Sequence, residues 1–159
     1  MRTSWKCAAA GFVVALALAG TARAAELKVG FITSLSGPGA SIGIPYGKGI
    51  AAGAVFSSAI GQDKIKIIQL DDASDPSNSS RNASKLVEEE NVDILIGTSS
   101  TPATAAMAAV AVAKKVPMIA VSPMPNIAPG EGGPWVISIP QPPPLMAKAV
   151  VDRMKASGV

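Results

Sequence analysis

The stretch VDILIGTSSTPATAAMAAVAVAKKVPMIAV, Val92–Val121, decides the fold. It opens with a short apolar, β-branched run, VDILIG (Val92–Gly97), and closes with another, PMIAV (Pro117–Val121). Between them TPATAAMAAVAVAKK is long enough for a helix with an apolar stripe. Strand, helix and strand of these lengths make a βαβ unit, with parallel strands and a right-handed crossover. Ile94–Ile96 is continuously apolar, as a strand covered on both faces should be. Pro102 suits the first helical turn, where its missing N–H costs nothing. Lys114 and Lys115 complement the negative end of the same helix.

The same alternation extends outward. LKVGFIT (Leu27–Thr33) and KIKIIQL (Lys64–Leu70) read as two earlier strands, and WVISIP (Trp135–Pro140) as a fifth. IPYGKGIAAGAVFSSAI (Ile44–Ile60) and NSSRNASKLVEEE (Asn78–Glu90) read as helices, the second capped by Asn78 or Ser77. A last helix is expected from about Pro144 to Ala156, after an irregular Pro/Gly loop, SPMPNIAPGEGGP (Ser122–Pro134). There is no repeat and no heptad pattern.

The first residues have a different character. Arg2 and Lys6 form a positive segment ahead of the apolar AAAGFVVALALAG (Ala8–Gly20), which is shorter than the roughly 20 residues a membrane helix needs. Ala22-Arg23-Ala24 supplies a cleavage signature, so residues 1–24 are expected to be a secretory signal peptide cut after Ala24. Cys7 lies inside it without a lipoprotein context, so the expected product is soluble and periplasmic. The chain has 14 basic and 11 acidic residues. Arg2, Lys6 and Arg23 belong to the leader, so 14 − 3 leaves 11 against 11 and a net charge of zero. The basic balance therefore belongs to export and gives no nucleic-acid signal. Cys7 is the only cysteine and there is no histidine. That excludes a disulfide framework and a thiolate metal site in the mature chain.

In an open parallel sheet, ligands bind beyond the carboxyl ends of the strands. Four loops reach that edge: SLSGPGASIG (Ser34–Gly43), DDASDPS (Asp71–Ser77), TSSTP (Thr98–Pro102) and SPMPN (Ser122–Asn126). A serine nucleophile in GTSST lacks a histidine base, and the G-x-S-x-G elbow is absent, so no enzyme is expected. Gly47-Lys48-Gly49 lacks Walker spacing, and SGPGASIG does not give G-x-G-x-x-G in register. Asp71, Asp72 and Asp75 lack the remaining ligands of a calcium loop and read as turn and helix caps. No cofactor or metal is implied. What remains is a helix N-terminus at Thr101–Pro102, with Ser100 and Thr101 either capping it or seating a small anion. The residues alone leave these two readings level.

KVGFITSLSGPGASIG, IQLDDASDPSNSSRNASKLVEEENVDILIG, GTSSTPATAAMAAVAVAKKVPMIAVSP and WVISIPQ follow one another in an order and spacing that resemble type 1 periplasmic solute-binding proteins. The nearest group is the leucine/isoleucine/valine-binding family of ABC importers. The resemblance runs over Glu26–Val159 and matches the first of that family's two lobes, with the second lobe missing. It implies an α/β, three-layer lobe over residues 25–159, with a parallel five-stranded sheet in the order 2-1-3-4-5. It also implies ligand contacts at Ser99, Ser100, Thr101 and Thr104, which match the family's carboxylate loop. Ser122 and Met124 match the loop after the fourth strand, and Ser41 and Ile42 the first loop. Ile42 stands where amino-acid binders place an aromatic lid, and Met124 where they place a hydroxyl, so this half-pocket is more apolar. Tyr46 suits either the cleft or an ordinary helix position.

The implied function is capture of a branched-chain amino acid or a related small carboxylate, aromatic acids included, for delivery to a membrane permease. A ligand-sensing domain of a regulatory or receptor system on the same fold is the alternative. An open half-cleft competes with water for the ligand's hydrogen bonds, so weak or no binding is expected of these 159 residues alone.

Overall fold

The computed structural model describes residues 25–124 and 133–158. The expected leader and cleavage position, and most of the Pro/Gly loop, lie outside the described residues. In chain order the elements are β1 (Glu26–Thr33), α1 (Ala40–Phe56), β2 (Ala59–Ile60), β3 (Asp63–Asp71), α2 (Pro76–Glu88) and β4 (Ile94–Gly97). Then come α3 (Thr101–Lys114), β5 (Met118–Ala120), a 3-10 turn (Gly133–Trp135), β6 (Val136–Ser138) and α4 (Pro143–Ala156).

The sheet order is β2-β3-β1-β4-β5-β6. Its five long-range neighbours β3, β1, β4, β5 and β6 are all parallel and stand in the expected order, second-first-third-fourth-fifth. The sheet nevertheless has six strands, because β2 adds an antiparallel edge on β3. The cause is local. Gly61 takes φ +63°, so Gly61-Gln62 forms a two-residue hairpin loop, the geometry such loops require. The chain assigned to the end of the first helix is thereby pulled into the sheet. That helix begins at Ala40 instead of Ile44 and stops at Phe56, where Ser57 turns extended.

Alternation along β1 separates two faces. Ile32 joins Leu95, Met118 and Ala120 in a core closed by Leu86 and Ala83 of α2 and by Met107, Ala108 and Ala111 of α3. Val29 and Phe31 point the other way, toward α1. On the first face the two helices pack closely, since small residues let their backbones approach. On the second, α1 leaves an apolar groove of about 600 Å³ against Phe31, Ile67, Ile96 and Val121. Phe56 at its end is 96% exposed. No residue of α4 is buried.

Helix boundaries follow their caps. The expected caps of α2, Asn78 or Ser77, are displaced by Asp75. Pro76 holds the residue before it in extended geometry (φ −106°, ψ 124°), and the Asp75 carboxylate accepts the Asn78 amide at 2.8 Å. α3 ends on Lys115 in the left-handed region, with the Val116 amide donating to the Ala111 carbonyl at 3.0 Å. The Lys114–Glu88 ion pair (2.6 Å) ties the ends of α3 and α2, but both side chains are about half exposed. Such a pair contributes at most about 1 kcal/mol. Among the described residues no helix is long and apolar enough to cross a membrane.

Candidate functional site

Register brings the strand ends into one row. Thr33 pairs with Asp71, Ile32 with Gly97, and Gly97 with Ala120. The loops that follow therefore share one edge, as parallel topology requires.

The loop after β4 leaves the sheet at Gly97. This residue has φ +155°, and a Cβ there would collide with the Ile32 carbonyl oxygen, so only glycine fits. Thr98 and Ser99 then turn inward and are buried. The Thr98 hydroxyl donates to the Asp72 carboxylate and accepts the Ser99 amide at 2.7 Å. The Ser99 hydroxyl donates to Ser34 Oγ at 2.7 Å, and Ser34 Oγ donates to Asp72 Oδ1, also at 2.7 Å. The Ser74 amide donates to the same oxygen at 2.9 Å. Asp72, with no exposed surface, thus joins the loops after β1, β3 and β4.

Ser100 is the N-cap residue of α3, in extended geometry, yet its side chain makes no capping bond. Its Oγ is buried and has no partner among the described residues. Burying a hydroxyl without a partner is costly, so its proton and lone pairs are available to a molecule placed there. Thr101 Oγ1 lies 3.3 Å from Ser122 Oγ, which joins the loops after β4 and β5. Thr104 is buried one turn on; its hydroxyl accepts the Thr98 amide at 3.2 Å and donates to the Ser100 carbonyl at 2.9 Å.

Of the residues singled out in the sequence, Ser99, Ser100, Thr101, Thr104 and Ser122 form one contiguous group. Ser41 and Ile42 lie in the first turn of α1, at the same edge but exposed, Ile42 by 49%. Met124 is half-buried and packs against the core. Tyr46 lines the apolar groove.

The three carboxylates of DDASDP divide their work. Asp75 caps α2 and Asp72 is the buried junction. Asp71 is exposed and accepts the amides of Leu35 (2.8 Å), Ser36 (3.3 Å) and Ala73 (2.8 Å) and the Ser36 hydroxyl (2.6 Å). Partial desolvation works to raise its pKa, but the Ser36 hydroxyl and these amides outweigh it and hold the carboxyl below its ordinary value. Asp72, Ser34 and Thr98 carry structure that the sequence reading did not assign to the site. The signal available was Asp72 beside a strand end, but three adjacent aspartates do not announce which is buried. Among the described residues no group of three or more His, Cys, Asp or Glu is placed to hold a metal ion.

A family model described as periplasmic binding protein matches residues 26–159. Among solved structures, an extracellular ligand-binding receptor from Rhodopseudomonas palustris HaA2 is 35% identical, with a TM-score of 0.72. The match covers 84% of this chain and 36% of that one. A solute-binding protein of an ABC transporter from R. palustris BisB5, in complex with 3,4-dihydroxybenzoic acid, is 31% identical, with a TM-score of 0.65. It is covered over 31% of its length, and this chain over 71%. A leucine-binding protein from Thermotoga maritima shares the fold at TM-score 0.75 and 22% identity, over 83% of this chain and 38% of that one. The chain thus spans about a third of the length of these structures. No curated protein matches it.

Proposed function

The chain belongs to the periplasmic binding protein family, and from that premise we propose that it is a lobe of an extracytoplasmic solute-binding protein serving an ABC importer. Its ligand is a small carboxylate, an aromatic acid or an amino acid, and its partner is a membrane permease. The work is capture, not catalysis. The N-terminus of α3 offers unpaired backbone N–H groups and the positive end of its dipole, and Ser100 and Thr101 add hydroxyls. In a two-lobed protein, closure of a second lobe over this edge would exclude water and commit the ligand to transport. The leader that the sequence pattern leads us to expect at residues 1–24 fits export to the periplasm.

One observation carries this reading. Ser100 occupies the cap position of α3, does not cap it, and keeps a buried hydroxyl with no partner among the described residues. A purely structural role would have used that oxygen on the amides of the first turn. The 3,4-dihydroxybenzoate in one relative favours an aromatic acid, and so does the apolar character of Ile42 and Met124.

The test is titration of 3,4-dihydroxybenzoate and L-leucine into the protein, followed by ligand-observed NMR. We expect weak binding by these residues, of about millimolar dissociation constant or roughly 4 kcal/mol, because each hydrogen bond to the ligand replaces one to water. The Ser100→Ala/Thr101→Ala variant should lose it while keeping the native circular dichroism. Equal binding by the variant would sink the reading.

A further inference from the structure

The hydroxyls after β4 look interchangeable as anion donors, yet their protons are not equally free. Asp72 is fully buried, and no salt bridge reaches it among the described residues. Among those residues its carboxylate accepts from the Ser34 and Thr98 hydroxyls and the Ser74 amide. An ionised carboxylate only accepts, whereas a hydroxyl has a single proton to donate. Each step away from Asp72 is therefore determined by the one before.

Building on the anion-seat reading above, we propose that Asp72 is the positioning residue of that seat. It directs the hydroxyl protons of Ser34, Thr98 and Ser99 inward and leaves Ser100 and the Thr101–Ser122 pair as the side-chain donors to a ligand.

Ser34 commits its proton to Asp72 and can only accept from Ser99, so Ser99 commits its own proton to Ser34. Thr98 likewise donates to Asp72, which leaves its oxygen to accept the Ser99 amide. Both donors of Ser99 are thus withdrawn, and its oxygen presents only lone pairs. A carboxylate meeting that oxygen would be repelled. Thr104 is withdrawn independently, because its proton goes to backbone carbonyls and its oxygen accepts the Thr98 amide. Ser100 keeps an uncommitted proton. Thr101 and Ser122 share one bond between two hydroxyls, so one of their two protons remains. The seat therefore has a fixed polarity: Ser100 and the Thr101–Ser122 pair hold the protons that can be donated, and Ser99 presents only lone pairs.

Two measurements test this. Hydroxyl-proton NMR of the unliganded protein should show slowly exchanging protons on Ser34, Thr98 and Ser99. Asp72→Asn, which keeps the shape but replaces one acceptor by a donor, should expose either the Thr98 proton or the Ser34 and Ser99 protons, according to which side its amide nitrogen takes. If Asp72→Asn fails to fold, Ser34→Ala serves instead; it should free the Ser99 proton alone and leave Thr98 protected. A Ser99 proton in fast exchange in the parent protein, or one indifferent to both variants, overturns the proposal whether or not any ligand binds.

Affinity for 3,4-dihydroxybenzoate gives the second readout. Ser99→Ala should stay within about twofold of the parent, and Ser100→Ala should weaken binding about tenfold. Equal losses in the two variants overturn the proton assignment but leave the seat intact. Binding indifferent to both variants overturns the seat itself, and the exchange data then judge Asp72 separately.

Discussion

The Ser79 hydroxyl donates to the Ala103 carbonyl at 2.9 Å inside the seam between α2 and α3. Both residues are fully buried. The bond fixes the first turn of α3 against α2, and that turn is the one bearing Ser100 and Thr101. Ser79→Ala should cost about 1 kcal/mol, the net worth of a buried hydrogen bond. Ser79→Leu should cost more, about 1–3 kcal/mol, because the seam has no room for an extra isobutyl group. Urea denaturation of the three proteins would show the order; a Leu variant as stable as the parent would contradict the packing described for the seam.

Gly97→Ala should destabilise the protein by about 1–3 kcal/mol, the usual range for a backbone forced into a region closed to L side chains. Its φ of +155° and the clash of a Cβ with the Ile32 carbonyl act together. The thermal midpoint is the measurement. An unchanged midpoint would mean that the loop has another conformation available.

Asp75→Ala removes the N-cap of α2 and should cost about 1 kcal/mol, whereas Asp75→Ser should retain most of the stability. The contrast is informative because the neighbouring Ser77 and Asn78 were the caps expected from sequence. If Asn78→Ala proves the more costly substitution, the cap assignment is wrong.

The pH dependence of stability carries the signature of Asp71. Its folded pKa is held below the ordinary 3.8, so its contribution is fully present above that value. As pH falls from about 4 through the lower folded value, the proton displaces the bonds from Ser36, Leu35 and Ala73, and the contribution is lost. Asp71→Asn should flatten the stability profile in that acid window and leave the slope near neutrality alone. Denaturation midpoints from pH 2 to 7 for both proteins would separate Asp71 from the other carboxylates.

The strand order followed from the family resemblance, whereas the alternation of parallel strands and helices, and the helix over Thr101–Lys114, were legible in the residues themselves. Their signals are local: runs of β-branched residues, a proline in a first helical turn, lysines at a helix end. The hydroxyl loop was legible for the same reason, since it lies between a strand and a helix that announce themselves. The edge strand β2 was not, because two residues without alternation carry no pattern; only the hairpin at Gly61 places them on β3. Nor was the division of labour within DDASDP. Asp71, Asp72 and Asp75 are chemically alike and close in sequence.

Burial distinguishes them, and burial depends on residues far along the chain. Ser34, Asp72 and Thr98 meet across separations of 38 and 26 residues. Sequence alone was enough for the alternation of strands and helices and for the sheet edge that gathers the four loops, because periodicity and turn chemistry act over a few residues. The tertiary structure alone decided which hydroxyl protons remain free at that edge, because a carboxylate dictates proton direction only to the groups that the fold has brought within about 3 Å of it.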